Sequence, residues 1–115
     1  MNKPTIKING VEYSLATTLR VAYKIQGMND HKSYTEVFKD LAVMPVENQI
    51  DIVFASFSCA NKDTTFTIES FREYCLDNFT VADLMSVLGD IVNGIVGTGD
   101  DKADKENAAD GSAKN

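Results

Sequence analysis

Two cysteines, one histidine and a run of aspartates are the residues in this chain whose types could do chemistry. Cys59 and Cys75 form no C-x-x-C pair, have no histidine near them in sequence, and fall inside apolar helical patterns. That setting suits buried thiols rather than a disulfide or a metal pair. His31 lies in a polar stretch between Asp30 and Lys32. A catalytic imidazole needs a nucleophile and an orienting carboxylate on a rigid frame. Asp30 could be the carboxylate, but no nucleophile motif accompanies it, so a solvated loop histidine is expected. The run Gly99-Asp100-Asp101-Lys102-Ala103-Asp104 lacks the alternating ligands and central glycine of a calcium loop. Gly94, Gly97 and Gly99 follow an apolar helix rather than a strand, so they imply no phosphate cradle. Asn78-Phe79-Thr80 has the form of a glycosylation acceptor, yet Thr80 is accounted for as a helix cap. The expectation is a protein with no catalytic residue, no cofactor and no metal site.

The elements that would position any site are easier to read. Phe66-Thr67-Ile68-Glu69 and Phe79-Thr80-Val81-Ala82-Asp83 repeat one pattern, an aromatic before a threonine N-cap. The spacing of Phe66 to Phe71 and of Phe79 to Leu84 is that of a hydrophobic staple, which sets the angle at which the chain joins a helix. Two stapled helices in tandem predict a helical hairpin, the second member carrying Val81, Leu84, Met85, Leu88, Ile91, Val92 and Ile95. Gly89 and Gly94 interrupt that member, each costing about 1 kcal/mol relative to alanine. Its last turns should fray unless something packs on them.

Upstream, Thr5-Ile6-Lys7-Ile8 and Val11-Glu12-Tyr13-Ser14-Leu15 alternate around Asn9-Gly10, the signature of a two-residue β-hairpin. An isolated hairpin is marginal in water, so it must lie on helices or join the sheet of a second chain. Thr17 or Thr18 should cap a first helix to about Gln26, with Leu19, Ala22 and Tyr23 on one apolar face and Gly27 as its stop. Ser33 and Glu36 predict a capping box for a second helix with Tyr34, Val37, Phe38 and Leu41 on one face. Pro45 suits the first turn of a third helix. Val46, Ile50, Val53, Phe54 and Phe57, widened by Ile52, Ala55 and Cys59, predict that this helix is central and buried on more than one side.

The fold class expected is mainly α (α+β): a short N-terminal β-hairpin, then a bundle of about five helices, as one globular domain over 1–97. Residues 98–115 contain no large apolar side chain and predict a disordered acidic tail. A formal charge of -6 and a pI near 4.6 argue against nucleic acid or an anionic membrane as the main partner. The start of the chain carries no apolar leader and no stretch reaches membrane-spanning length, so a cytoplasmic protein is expected.

Ile6-Lys7-Ile8-Asn9-Gly10-Val11-Glu12-Tyr13, followed by Thr18-Leu19-Arg20-Val21-Ala22-Tyr23-Lys24-Ile25-Gln26-Gly27, then Ile50-Asp51-Ile52-Val53-Phe54-Ala55, then Asn61-Lys62-Asp63 and Thr67-Ile68-Glu69-Ser70-Phe71, form one order of segments. It resembles the tail assembly chaperones of long-tailed (siphovirus-type) bacteriophages and prophages. Their usual form is an ING-x-E-Y hairpin, a helix, an LLYAGL helix and N-P-D-x-T-x-E-E before the last helices. This chain departs in having no proline within Asn61-Lys62-Asp63-Thr64-Thr65, and Phe54-Ala55-Ser56-Phe57 where the family often has Tyr-Ala-Gly-Leu.

The resemblance implies a non-catalytic role. Family members bind the tape measure protein, keep it soluble, help recruit tail tube subunits and leave before the tail matures. Many also exist in a longer, frameshifted form. It further implies a location in the host bacterial cytoplasm and absence from the mature virion. A head–tail completion or tail-terminator protein retained in the virion is the alternative, and a regulatory module such as an anti-repressor a third. Ile91, Val92, Ile95 and Val96 are the candidate partner-binding residues, with ordinary core packing the competing reading of the same stripe. The hairpin edge is a second candidate surface, for self-association.

Overall fold

Asn9 and Gly10 both adopt positive φ, 53° and 81°, as a type I′ turn requires. They join strands β1 (Thr5–Ile8) and β2 (Val11–Ser14) in an antiparallel pair that sets Ile6 opposite Tyr13 and Ile8 opposite Val11. The computed structural model describes residues 4–30 and 32–97. The expected loop position of His31 and the tail expected over 98–115 lie outside the described residues. Five α-helices follow the hairpin: α1 (Leu19–Met28), α2 (Tyr34–Lys39), α3 (Val46–Ala60), α4 (Ile68–Asn78) and α5 (Val81–Val96). A 3-10 turn, Leu41–Val43, links α2 to α3.

The hairpin lies on helices. Ile6, Ile8 and Leu15 are buried, and Val11, beside the turn, is half exposed. Ser56 of α3, itself buried, donates its hydroxyl to the Ala16 carbonyl at 2.6 Å, and the Ala16 N–H donates to the Ser56 carbonyl at 3.2 Å. Asn61, at the end of α3, donates to the Ser14 carbonyl (2.9 Å), and the Asn9 N–H reaches the Tyr74 hydroxyl of α4 (3.0 Å). These bonds satisfy backbone groups that would otherwise be orphaned where the strand runs into the core.

α3 is the axis. Ile50, Ile52, Val53, Ala55, Ser56 and Phe57 are all buried, on more than one side of the helix, as its widened stripe predicts. Its first turn differs slightly from expectation. Pro45 is the N-cap, with ψ 148°, and Val46, the first helical residue, is partly exposed.

All three predicted N-caps downstream of α1 form capping boxes: Ser33 with Glu36, Thr67 with Ser70, and Thr80 with Asp83. In each, the cap hydroxyl accepts the N–H of the third helical residue, whose own side chain accepts the cap N–H. Phe66 stacks edge-on against Phe71 at 6.3 Å, the staple spacing realised.

α1 departs from expectation. Leu19 and Tyr23 are 80% and 70% exposed, whereas Val21, Ala22 and Ile25 are buried. Two i, i+4 stripes compete on this helix. The aliphatic pair wins because burying Tyr23 would require a partner for its hydroxyl, and Val21 and Ile25 require none. Thr18 sits at the N-cap without a side-chain cap bond. The helix also runs through Gly27 to Met28, closed by Asn29, whose side chain donates to the Ile25 carbonyl at 2.7 Å. Leu41, expected on α2, belongs to the 3-10 turn.

The far end of α5 does not fray. Gly94 packs against Thr17: a Cβ placed there would lie 2.5 Å from Thr17 Cγ2 and 2.8 Å from Thr17 Cβ. Gly97, at φ 78° and ψ 24°, closes the helix with its N–H on the Asn93 carbonyl. Gly94 is therefore needed for close approach, while Gly89 faces open space. Gly89→Ala should raise stability by about 0.5–1 kcal/mol through helix propensity. Gly94→Ala should lower it, since Thr17 has no flexible end to move aside; denaturant titration of both variants checks the opposed signs. Replacing Thr67 and Thr80 together by alanine should cost roughly 1–4 kcal/mol, read as a lower melting temperature.

Candidate functional site

Of the residues whose types could do chemistry, the two cysteines lie among the described residues. Cys75 is buried on α4 and Cys59 half-buried on α3, and both are free thiols. Burial pushes the Cys75 thiol up from its ordinary 9.0 to about 11, so its nucleophilic thiolate is suppressed. Among the described residues no group of three or more His, Cys, Asp or Glu is placed to hold a metal ion. Asp51 of α3 and Arg72 of α4 form the salt bridge among these residues, at 2.7 Å and partly exposed. Hydrogen bonding to Asp51, and then its charge, hold the Arg72 guanidinium in its charged form. The pair ties α4 to α3.

The four predicted partner-binding residues do not form one surface. Ile91 is fully buried in the core, because it continues the Leu84 and Leu88 stripe that packs inward. It is not available to a partner. Val92 and Ile95 are half-buried, and Val96 is 49% exposed. The stripe is therefore core through Ile91 and becomes surface only in its last turn.

The hairpin edge is partly occupied at both ends, by Asn61 on Ser14 and by Tyr74 on Asn9. Between them, Thr5 and Glu12 side chains bond across the strands at 2.8 Å. What remains for strand addition is short.

An apolar concavity lies elsewhere, at the joint between α4 and α5. Only Phe79 and Thr80 separate the two helices. They turn the chain against the start of α3 and leave a groove of about 340 Å³. Met44, Val46, Leu76, Phe79, Val81 and Met85 line it. Leu76 and Val81 are 51% and 73% exposed. Its floor includes Gln49, which is buried with its amide committed to the Leu41 carbonyl at 2.8 Å. The groove thus presents methyl, thioether and aromatic groups with little hydrogen-bonding demand, which suits an apolar anchor. No sequence pattern isolates it. Its residues come from two segments well apart in sequence, and only the two-residue link between capped helices hinted at a sharp joint there.

Burial of Cys75 gives a pH signature. The thiol is held protonated in the folded chain, so its contribution to stability is complete below pH 9.0 and is lost as pH rises towards about 11. The melting temperature of the wild type should fall more steeply over that window than that of Cys75→Ala. A thiol-exchange reagent should modify Cys59 well before Cys75 in the native protein. No family model, no curated protein and no solved structure matches this chain.

Proposed function

We propose that this chain is a tail assembly chaperone of a long-tailed bacteriophage or prophage. It binds the tape measure protein, keeps it soluble and helps recruit tail tube subunits. One observation carries the reading: the order of its elements together with the residues on them. An Asn-Gly hairpin bearing Ile8-Asn9-Gly10-Val11-Glu12-Tyr13 precedes a short helix. A central apolar helix, a polar break and a threonine-capped helix pair then follow. That is the order of the family the sequence resembles.

Two further features support a binding role. Large apolar side chains stand on the surface at Leu19, Tyr23, Val43, Leu76 and Val81, more than packing of the chain itself uses. The net charge of -6 keeps a protein with such a surface from self-aggregation and favours a soluble complex with an apolar client. In this reading the protein acts in the host cytoplasm, without cofactor or catalysis. Among the described residues no helix is long and apolar enough to cross a membrane.

Co-expression tests the reading directly. The tape measure protein encoded beside this chain should partition to the soluble fraction only when the chain is present, and should co-purify with it. Purified virions should lack the chain by mass spectrometry. Stoichiometric copies in mature tails would instead establish a head–tail completion or tail-terminator protein.

A further inference from the structure

We propose that the groove at the α4–α5 joint binds an amphipathic helix whose apolar face is flanked by Lys or Arg. The shape of the site argues for a helix. Its walls are the start of α3, the end of α4 and the start of α5, and neither hairpin strand contributes a lining residue. An occupant therefore cannot add as a strand, and apolar side chains at i, i+3 or i+4 spacing fit a slot between helices. The lining supports the same choice. The Gln49 side-chain N–H is taken by the Leu41 carbonyl, and most of the other lining side chains are apolar, so the slot favours methyl and methylene groups.

Charge selects the chemistry of the occupant. The two segments that build the groove, residues 40–51 and 73–85, contain no Lys and no Arg. They carry Asp40, Glu47, Glu73, Asp77 and Asp83, all exposed, besides the Asp51 that Arg72 neutralises. Lys39, the last residue of α2, and Arg72, which is paired with Asp51, are the cations that adjoin these segments in sequence. An apolar slot built on segments with this acidic balance attracts a cationic partner and repels nucleic acid and anionic lipid. It equally repels the residues after Gly97. Asp100, Asp101, Asp104, Glu106 and Asp110 outnumber the lysines there, and no large apolar side chain is present to serve as an anchor. Residues 98–115 are therefore not the occupant.

This inference deepens the chaperone reading by giving the client a place and a chemistry, but its test uses no client. The probe is a fluorescent peptide of about 18 residues, long enough for five helical turns. It carries Leu on one helical face and Lys on the other, and is compared with a Leu/Glu peptide and with a scrambled Leu/Lys peptide. Anisotropy at physiological ionic strength should show the amphipathic Leu/Lys peptide binding at least tenfold more tightly than either control. The deciding variant is the double substitution Leu76→Glu and Val81→Glu, at two exposed positions where glutamate is a good helix residue. It adds negative charge, so a merely electrostatic attachment to this acidic protein would tighten or stay unchanged. Docking in the groove predicts a loss of roughly tenfold or more, the scale expected when central apolar anchors are removed. Glu47→Lys with Asp77→Lys should weaken the Leu/Lys peptide and improve the Leu/Glu one.

Equal binding of the three peptides, or a Leu76→Glu/Val81→Glu protein that binds as the wild type does, would overturn the proposal. So would self-association that this double variant abolishes while no peptide is bound, since the groove would then belong to a second copy. Binding that passes these tests, in a protein that leaves the tape measure protein insoluble, keeps the groove and removes the chaperone reading.

Discussion

The ring of Phe57 is fully buried where four parts of the chain meet. Its centroid lies 5.3 Å from Tyr13 of the hairpin, 6.1 Å from Phe54 on the same helix, 5.8 Å from Phe66 before α4 and 5.0 Å from Phe71 within α4. Aromatic pairs in such tilted and edge-on arrangements contribute about 0.5–1.5 kcal/mol each beyond the area they bury. The adjacent residue, Ser56, exchanges two hydrogen bonds with Ala16. One turn of α3 therefore receives the hairpin through backbone polar groups and the α4 start through apolar surface. The two contributions differ in kind. The rings contribute apolar burial, and the hydrogen bonds fix register by satisfying the polar groups in one docking.

Local features were legible in the sequence because their causes are local. The Asn9-Gly10 turn needs positive φ at both positions, and few other dipeptides supply it. The boxes at Ser33, Thr67 and Thr80 depend on residues three apart and on nothing distant. The width of the α3 stripe likewise announced a helix surrounded by others. The orientation of α1 was not legible, because two stripes of similar apolarity share that helix and the choice turns on whether the Tyr23 hydroxyl would find a buried partner. Gly94 was read as a weak point, whereas in the folded chain it is the position where α5 comes closest to Thr17. A glycine required by a neighbour's approach and a glycine that merely weakens a helix look the same in one dimension.

The same division explains the site. Ile91 to Val96 suggested a continuous surface stripe, but helix rotation buries its first member and exposes its last. The groove at the α4–α5 joint owes its form to the second threonine cap. Thr80 begins α5 as soon as Phe79 ends α4, and that abruptness tilts two helices apart above the start of α3. The cap is thus architecture with a functional consequence: it holds the walls open without lending its own hydroxyl, which is committed to the Asp83 N–H.

α5 also separates two ends of the molecule. Its 16 residues, at 1.5 Å each, make a rod about 24 Å long. Val81 and Met85 stand at the groove end, and Gly97 stands at the other, next to the turn where Gly94 meets Thr17. Whatever the chain carries beyond Gly97 starts that far from a helix seated in the groove. A fusion or natural extension added at that end would be held at arm's length from the bound partner, with the root of the hairpin as its nearest neighbour.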